Sequence, residues 1–202
     1  MSAADRTVRC TEEPSDADLM ASLGSRAGSL DLLFERHLGA IYGYISRRVG
    51  PSLAEELTAE TFARAFEQRE RFVSTHEGAR PWLYGIATNL IRNFWRAERR
   101  QLAAYARAAA LTQSFADEYE RADAKIDAAS LAPEIVSALM EFESGDRDVL
   151  LLFAWQDLTY EEIAVALQIP VGTVASRINR ARRRIRASLG KLTDIADGDE
   201  LR

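Results

Sequence analysis

Residues 158–189 read LTYEEIAVALQIPVGTVASRINRARRRIRASL, and the architecture of the chain turns on them. Thr159 and Glu162 have the spacing of a capping box, so a helix is expected to start with Thr159 as its N-cap. Ile163, Ala164 and Leu167 give that helix an apolar face. The run Gln168-Ile169-Pro170-Val171-Gly172 then interrupts it, because proline lacks a backbone donor and glycine permits unusual dihedrals. A second helix is predicted from Thr173 onward. Val174, Ile178, Ala181 and Ile185 recur at steps of four, three and four residues, one continuous apolar stripe. Thr173, Ser176, Arg177, Arg180 and Arg184 fall on the opposite face.

Two helices joined by a tight turn, the second apolar on one side and arginine-studded on the other, form a helix-turn-helix. The second helix of such a unit enters the major groove of duplex DNA. Thr173, Ser176, Arg177, Arg180 and Arg184 are the candidates for base edges, and Arg182, Arg183 and Arg186 for phosphates. An amphipathic helix lying on anionic lipid would share the charge, but it would need neither the capped helix nor the Pro-Val-Gly turn before it.

Charge along the rest of the chain is uneven. The 202 residues carry a formal net charge of −5, yet Val171 to Leu192 holds seven basic residues and no acidic one. Arg80 to Arg107 holds six arginines against the single acid Glu98, and Ala108 to Glu162 holds thirteen acids against Arg121, Lys125 and Arg147. Two basic zones thus flank an acidic middle. No run of 18 or more apolar residues is present, and the N-terminus lacks the layout of a signal peptide. One cysteine, Cys10, with two histidines, His37 and His76, makes neither a disulfide nor a zinc site, so no cofactor or metal is expected.

Strand-type alternation is not evident, and breakers divide the chain into two helical blocks, so an all-α fold of two small domains joined by a flexible linker is expected. The boundaries read as a disordered or variable N-terminus over 1–24, a first domain over 25–104, a linker over 105–131, a second domain over 132–190 and an acidic tail over 191–202. In the first block, RPWLYGIATNLIRNFWRAERR (80–100) interleaves arginines with aromatics beside the flexible run 74–78, a composition suited to single-stranded or melting DNA, whose unstacked bases need flat partners. The helix over 53–72 pairs an apolar face with a charged one, Glu55, Glu56, Glu60, Arg64 and Arg69, and fits a protein-docking helix. No Glu-x-x-His pair occurs, so a carboxylate metal bundle is not supported.

At this point a resemblance is plain. FERHLGAIYGYISRRVG, AEELTAETFARAF and PWLYGIATNLIRNFWR resemble successive parts of region two of bacterial RNA polymerase sigma factors of the sigma-70 family, and LTYEEIAVALQIPVGTVASRINRARRRIR is similar to region four. Two such domains with a short linker have the layout of the extracytoplasmic-function (ECF, group IV) class. The resemblance implies a non-enzymatic cytoplasmic protein that binds core RNA polymerase and promoter DNA, with an anti-sigma factor as a further partner and no small-molecule substrate. It implies that Glu55, Glu56, Thr58, Thr61, Phe62 and Arg64 meet the polymerase clamp. It assigns Trp82 and Asn89 to a flipped base of the −10 element and Arg92, Trp95, Arg96, Arg99 and Arg100 to the adjoining strand, while the second domain reads the −35 element. The acidic stretch Asp117 to Asp127 would thread towards the polymerase active-site channel. Two positions depart from the pattern. Gly85 and Ala175 stand where arginine and lysine are common, and the expected effect is weaker phosphate contact.

Overall fold

The computed structural model describes residues 13–23, 28–73, 78–109 and 142–198, with 104–109 and 188–198 described as backbone. Among them there are seven α-helices and no strand: α1 (Asp16–Ala21), α2 (Ser29–Val49), α3 (Pro51–Glu67), α4 (Arg80–Ala109), α5 (Ser144–Gln156), α6 (Tyr160–Leu167) and α7 (Val171–Gly198). None is long and apolar enough to cross a membrane.

Helices α2, α3 and α4 form the first bundle. Leu33, Ile41 and Ile45 of α2 bury against Leu57 and Phe62 of α3 and Leu83, Ala87 and Ile91 of α4. Gly50 breaks α2 from α3: its φ of 84° lies in the region closed to most residues, and Pro51 then supplies the preset dihedral of a first helical position. Two polar groups are tied off inside. The Tyr44 hydroxyl lies 2.8 Å from Thr88 Oγ1 and accepts a 2.7 Å bond from Arg48 Nη1.

The N-terminal segment departs from expectation. Ser15 caps α1 in a reciprocal box with Asp18, and Leu19, Met20 and Leu23 are buried in the bundle core. Asp16 fastens this helix from below. Its carboxylate accepts from Arg36 Nη1 at 2.5 Å and from the Ala79 N–H at 3.0 Å, and lies 2.8 Å from His37 Nε2. Burial alone would raise the Asp16 pKa, but the bonds from His37, Ala79 and Arg36 outweigh it and hold the carboxyl well below the usual range. The expected disordered stretch 1–24 therefore contains a docked helix from Asp16 to Ala21.

Helices α5, α6 and α7 form the second unit, with Val149, Leu152, Ile163, Val174 and Ile178 in its core. The Thr159 capping box is present, and Val174, Ile178 and Ala181 are buried as one stripe. The turn differs in detail. Gln168, at φ 54°, takes the left-handed position that ends α6, and α7 begins at Val171, so Gly172 lies inside its first turn. The Thr173 and Val174 N–H groups both donate to the Pro170 carbonyl, at 2.8 and 3.2 Å. Two further boundaries move: α4 runs to Ala109, inside the expected linker, and the α7 backbone runs to Gly198, inside the expected acidic tail. Most of the linker, with Asp117 to Asp127, lies outside the described residues, as do 74–77.

Candidate nucleic-acid interface

The recognition helix α7 presents its basic face much as its periodicity requires. Ser176, Arg180, Arg182, Arg183, Arg184 and Arg186 are exposed, and Thr173 and Arg177 are half-buried. These side chains are not all loose. Asp146, buried near the start of α5, sits 3.0 Å from Arg180 Nη1 and 3.7 Å from Arg177 Nε, and Arg177 lies across Gly145. Arg182 lies over the Phe153 ring at 5.2 Å and Arg184 over Phe142 at 5.7 Å. Packing within the domain thus orients four of the arginines.

On α4, Asn89, Arg96, Arg99 and Arg100 are exposed, whereas Trp82, Arg92 and Trp95 are half-buried. Trp82 packs on Phe72 at 5.4 Å between centroids and Trp95 on Phe94 at 5.1 Å. Arg92 is engaged: its Nε donates to Asp148 Oδ2 at 2.5 Å. Asp148 belongs to α5 and is fully buried. Its other oxygen lies 2.5 Å from Arg48 Nη2 of α2. Burial opposes the charge on Arg48, but the Asp148 carboxylate and the Tyr44 hydroxyl outweigh it and hold the guanidinium protonated more firmly than usual.

The candidate docking helix α3 divides sharply. Glu55 and Glu56 are exposed and Arg64 is half-buried, in an i, i+4 pair with Glu60 at 2.7 Å. Thr58, Thr61 and Phe62 are buried at 3%, 0% and 4% exposure. Thr61 donates to the Leu57 carbonyl, and Phe62 meets Phe34 edge-on at 4.7 Å. Those three hold the helix in place; they do not stand on its surface. The exposed apolar group nearby is Phe66, which with Leu30, Phe34, Ala59 and Ala63 lines an open groove of about 540 Å³ between α2 and α3.

The sequence reading also missed Asp146, Asp148 and Arg48. The two aspartates sit two residues apart, about 200° around a helix at 100° per residue, so one turns inward to α7 and the other across to α2 and α4. Local sequence carries no sign of that division, because both partners of Asp148 come from the other half of the chain.

An all-α chain with a helix-turn-helix in one unit and a second basic, aromatic helix face in the other defines a DNA-associated transcription protein. Comparison with known proteins narrows this. Residues 33–101 match the family model for sigma-70 region 2, and residues 134–185 match that for sigma-70 region 4. The chain is 29% identical to the ECF RNA polymerase sigma factor SigE of Mycolicibacterium smegmatis over 195 residues, covering 91% of this chain and 71% of that protein. It is 31% identical to the RNA polymerase sigma factor CarQ of Myxococcus xanthus over 165 residues, 79% of this chain and 88% of that one. In fold it is similar to CnrH, solved in complex with the cytosolic domain of CnrY, at a TM-score of 0.59 and 23% identity over 88% of this chain and 99% of that one. The chain belongs to the ECF class of the sigma-70 family, whose members are promoter-specific transcription initiation factors acting with RNA polymerase.

Proposed function

We propose that this sigma factor reads a promoter in two places. Thr173, Ser176, Arg177, Arg180 and Arg184 of α7 read −35 duplex in the major groove, while Arg182, Arg183 and Arg186 hold phosphates. Trp82, Asn89, Arg92, Trp95, Arg96, Arg99 and Arg100 of α4 take the −10 strand as it separates. Unstacking a flipped base requires a few kcal/mol, which contacts to the open strand must supply. The observation that carries this reading is the division of α7 into a buried stripe, Val174, Ile178 and Ala181, and an exposed arginine face, in one chain with a second such face on α4.

Core RNA polymerase docks on α3 through Glu55 and Glu56, with Phe66 and its groove beside them. The protein works in the cytoplasm without catalysis of its own. An anti-sigma factor is a further partner, by likeness to CnrH with CnrY and to RpoE of Bartonella quintana, solved with the anti-sigma factor NepR (TM-score 0.54, 19% identity). The test is size-exclusion chromatography with bacterial core polymerase, comparing the wild type with Glu55→Arg, Glu56→Arg, Phe66→Ala. These positions are exposed, so the fold is expected to survive, unlike Phe62→Ala. One-to-one co-elution lost in the variant supports the reading. A protein that fails to co-elute and shifts duplex DNA alone as a dimer overturns it in favour of a conventional repressor.

A further inference from the structure

Outside the recognition face, arginines converge on a second and much smaller space. A cavity of about 50 Å³ lies where α2, α4 and α5 meet. Arg48 of α2 and Arg92, Trp95, Arg96 and Arg99 of α4 form one side of it, and Ser144 and Arg147 of α5 the other. Its walls are held together where the two units pack: Gly85 of α4 meets the Ala166 backbone on α6 so closely that a Cβ at position 85 would collide with the Ala166 carbonyl oxygen. Among the described residues the cavity is lined by five arginines and no acidic side chain.

The groups around it ask for an anion. Asp148 is fully buried and gives one oxygen to Arg48 Nη2 and the other to Arg92 Nε, each at 2.5 Å, so a single negative charge serves two guanidiniums. Arg96 bonds a neutral partner, Asn93 Oδ1, at 3.0 Å. Three cations around one carboxylate leave positive charge for a further anion to balance. The Nε1–H of Trp95 is shut off from water and has no hydrogen-bond partner. Buried donors are nearly always paired, and an orphan is a standing cost that an incoming acceptor removes. Ser144 is the first residue of α5, whose N-terminus has no side-chain cap, so the partly positive end of that helix forms part of the wall.

We propose that this cavity is a phosphate-binding site, taking inorganic phosphate or the terminal phosphate of a nucleotide. Trp95 Nε1–H and the Arg96 guanidinium donate to the oxygens, and the other arginines supply the field. Size selects the ligand: at about 10–15 Å³ for each water-sized occupant, the cavity admits roughly four oxygen-sized atoms, a tetrahedral oxyanion and not a base or a sugar. A larger cavity of about 530 Å³ shares Arg92, Arg96 and Ser144 with it, within the range that holds a small molecule, and there the body of a nucleotide would lie. The reading of the −10 strand uses only the α4 side chains of this group. Arg48, Ser144 and Arg147 have no part in that reading, and they turn an open basic face into an enclosed site.

Tryptophan labelled at the indole nitrogen tests it in the full chain. The three Nε1–H resonances belong to Trp82, Trp95 and Trp155, and Trp95→Phe assigns the one in question. Sodium phosphate is titrated to ~20 mM against sodium chloride at constant ionic strength, so that screening does not change. The Trp95 resonance should shift and saturate while that of Trp155 stays in place. Arg96→Gln, at an exposed position, should weaken phosphate about tenfold, the lower end for loss of one hydrogen bond to a charged group. Arg71→Gln, also exposed and equal in charge change but outside the cavity, should leave the affinity as it was. A Trp95 resonance that does not move, that moves as far in chloride alone, or that responds alike in both variants overturns the site. A saturable shift that only Arg96→Gln weakens upholds it, and ADP then identifies the source: affinity tenfold above that of phosphate assigns the site to a nucleotide, equal or lower affinity to the free ion. The promoter reading stands apart, since co-elution with core polymerase tests it and its failure would leave the phosphate titration unchanged.

Discussion

Replacing Asp16 probes whether the N-terminal helix is part of the folded domain. Its carboxylate holds α1 to the bundle through three groups: the Ala79 N–H at the start of α4, His37 and Arg36. Hydrogen bonds to a charged group contribute about 1.5–3 kcal/mol each when buried. Arg36 is about one-third exposed, and solvent screening reduces its share to a few tenths of a kcal/mol. His37 and the Ala79 N–H lie in the buried part and dominate, so Asp16→Ala should destabilise by about 3 kcal/mol. For a chain of this size that is a fall in melting temperature of roughly 6–12 °C near pH 7. Asp16→Asn keeps an acceptor for Ala79 but no charge, and should fall between. The sign with pH follows from the direction of the shift. The folded carboxyl has the lower pKa, so its contribution is complete above the unfolded value near 3.8 and is lost as pH falls toward the folded value. About 1 kcal/mol of the gap between wild type and Asp16→Asn should therefore be gone by pH 3. Thermal melts followed by circular dichroism at pH 6 and pH 3 measure both effects. An Asp16→Ala protein that melts with the wild type, or a gap that does not move with pH, would refute the reasoning and return residues 13–23 to a loose tail.

Two further outcomes follow from the second domain. Thr159→Ala removes the side-chain half of a capping box, the 3.1 Å bond that Thr159 Oγ1 accepts from the Glu162 N–H, while the 2.7 Å bond from the residue 159 N–H to Glu162 survives, and should lower stability by about 1 kcal/mol; urea melts of the full chain read it, and a change within error would mean that packing alone sets the start of α6. Arg183→Ala, on an exposed side chain given a phosphate role, should weaken binding equally across duplex sequences and reduce the slope of log K against log salt by about one unit. A sequence-dependent loss in a salt titration would instead place Arg183 on a base edge.

What could be read from sequence was what local chemistry determines. The Thr159–Glu162 box, the interruption around Pro170 and the Val174–Ile178–Ala181 stripe each need only residues within a turn or two, and all three appear in the fold. The details that failed depend on distant partners. Residues 13–23 fall in the stretch read as disordered or variable until Asp16 finds His37 and Ala79, 21 and 63 positions away. Thr58, Thr61 and Phe62 were assigned to the polymerase contact by similarity, yet packing within the bundle buries them, Phe62 against Phe34 of α2. Gly85 read locally is a lost phosphate contact and a weak point in a helix; only the approach of α6 gives it a positive use.

The composition of the interface between the domains also bears on how readily they part. Asp148 and its two arginines form a buried ionic triad, and the desolvation of such a group cancels most of its Coulomb attraction. On separation the same three groups regain water, so the triad fixes the register of the two domains while adding little net affinity. The Gly85–Ala166 contact works differently, since backbone against backbone gains close packing that any side chain would remove. Removing one charge should therefore do more harm than parting the pair, because while the domains stay together Asp148→Ala leaves Arg48, 7% exposed, uncompensated between them at about 3–5 kcal/mol. The triad is thus suited to setting where the two units meet, and Gly85 to letting them meet so closely.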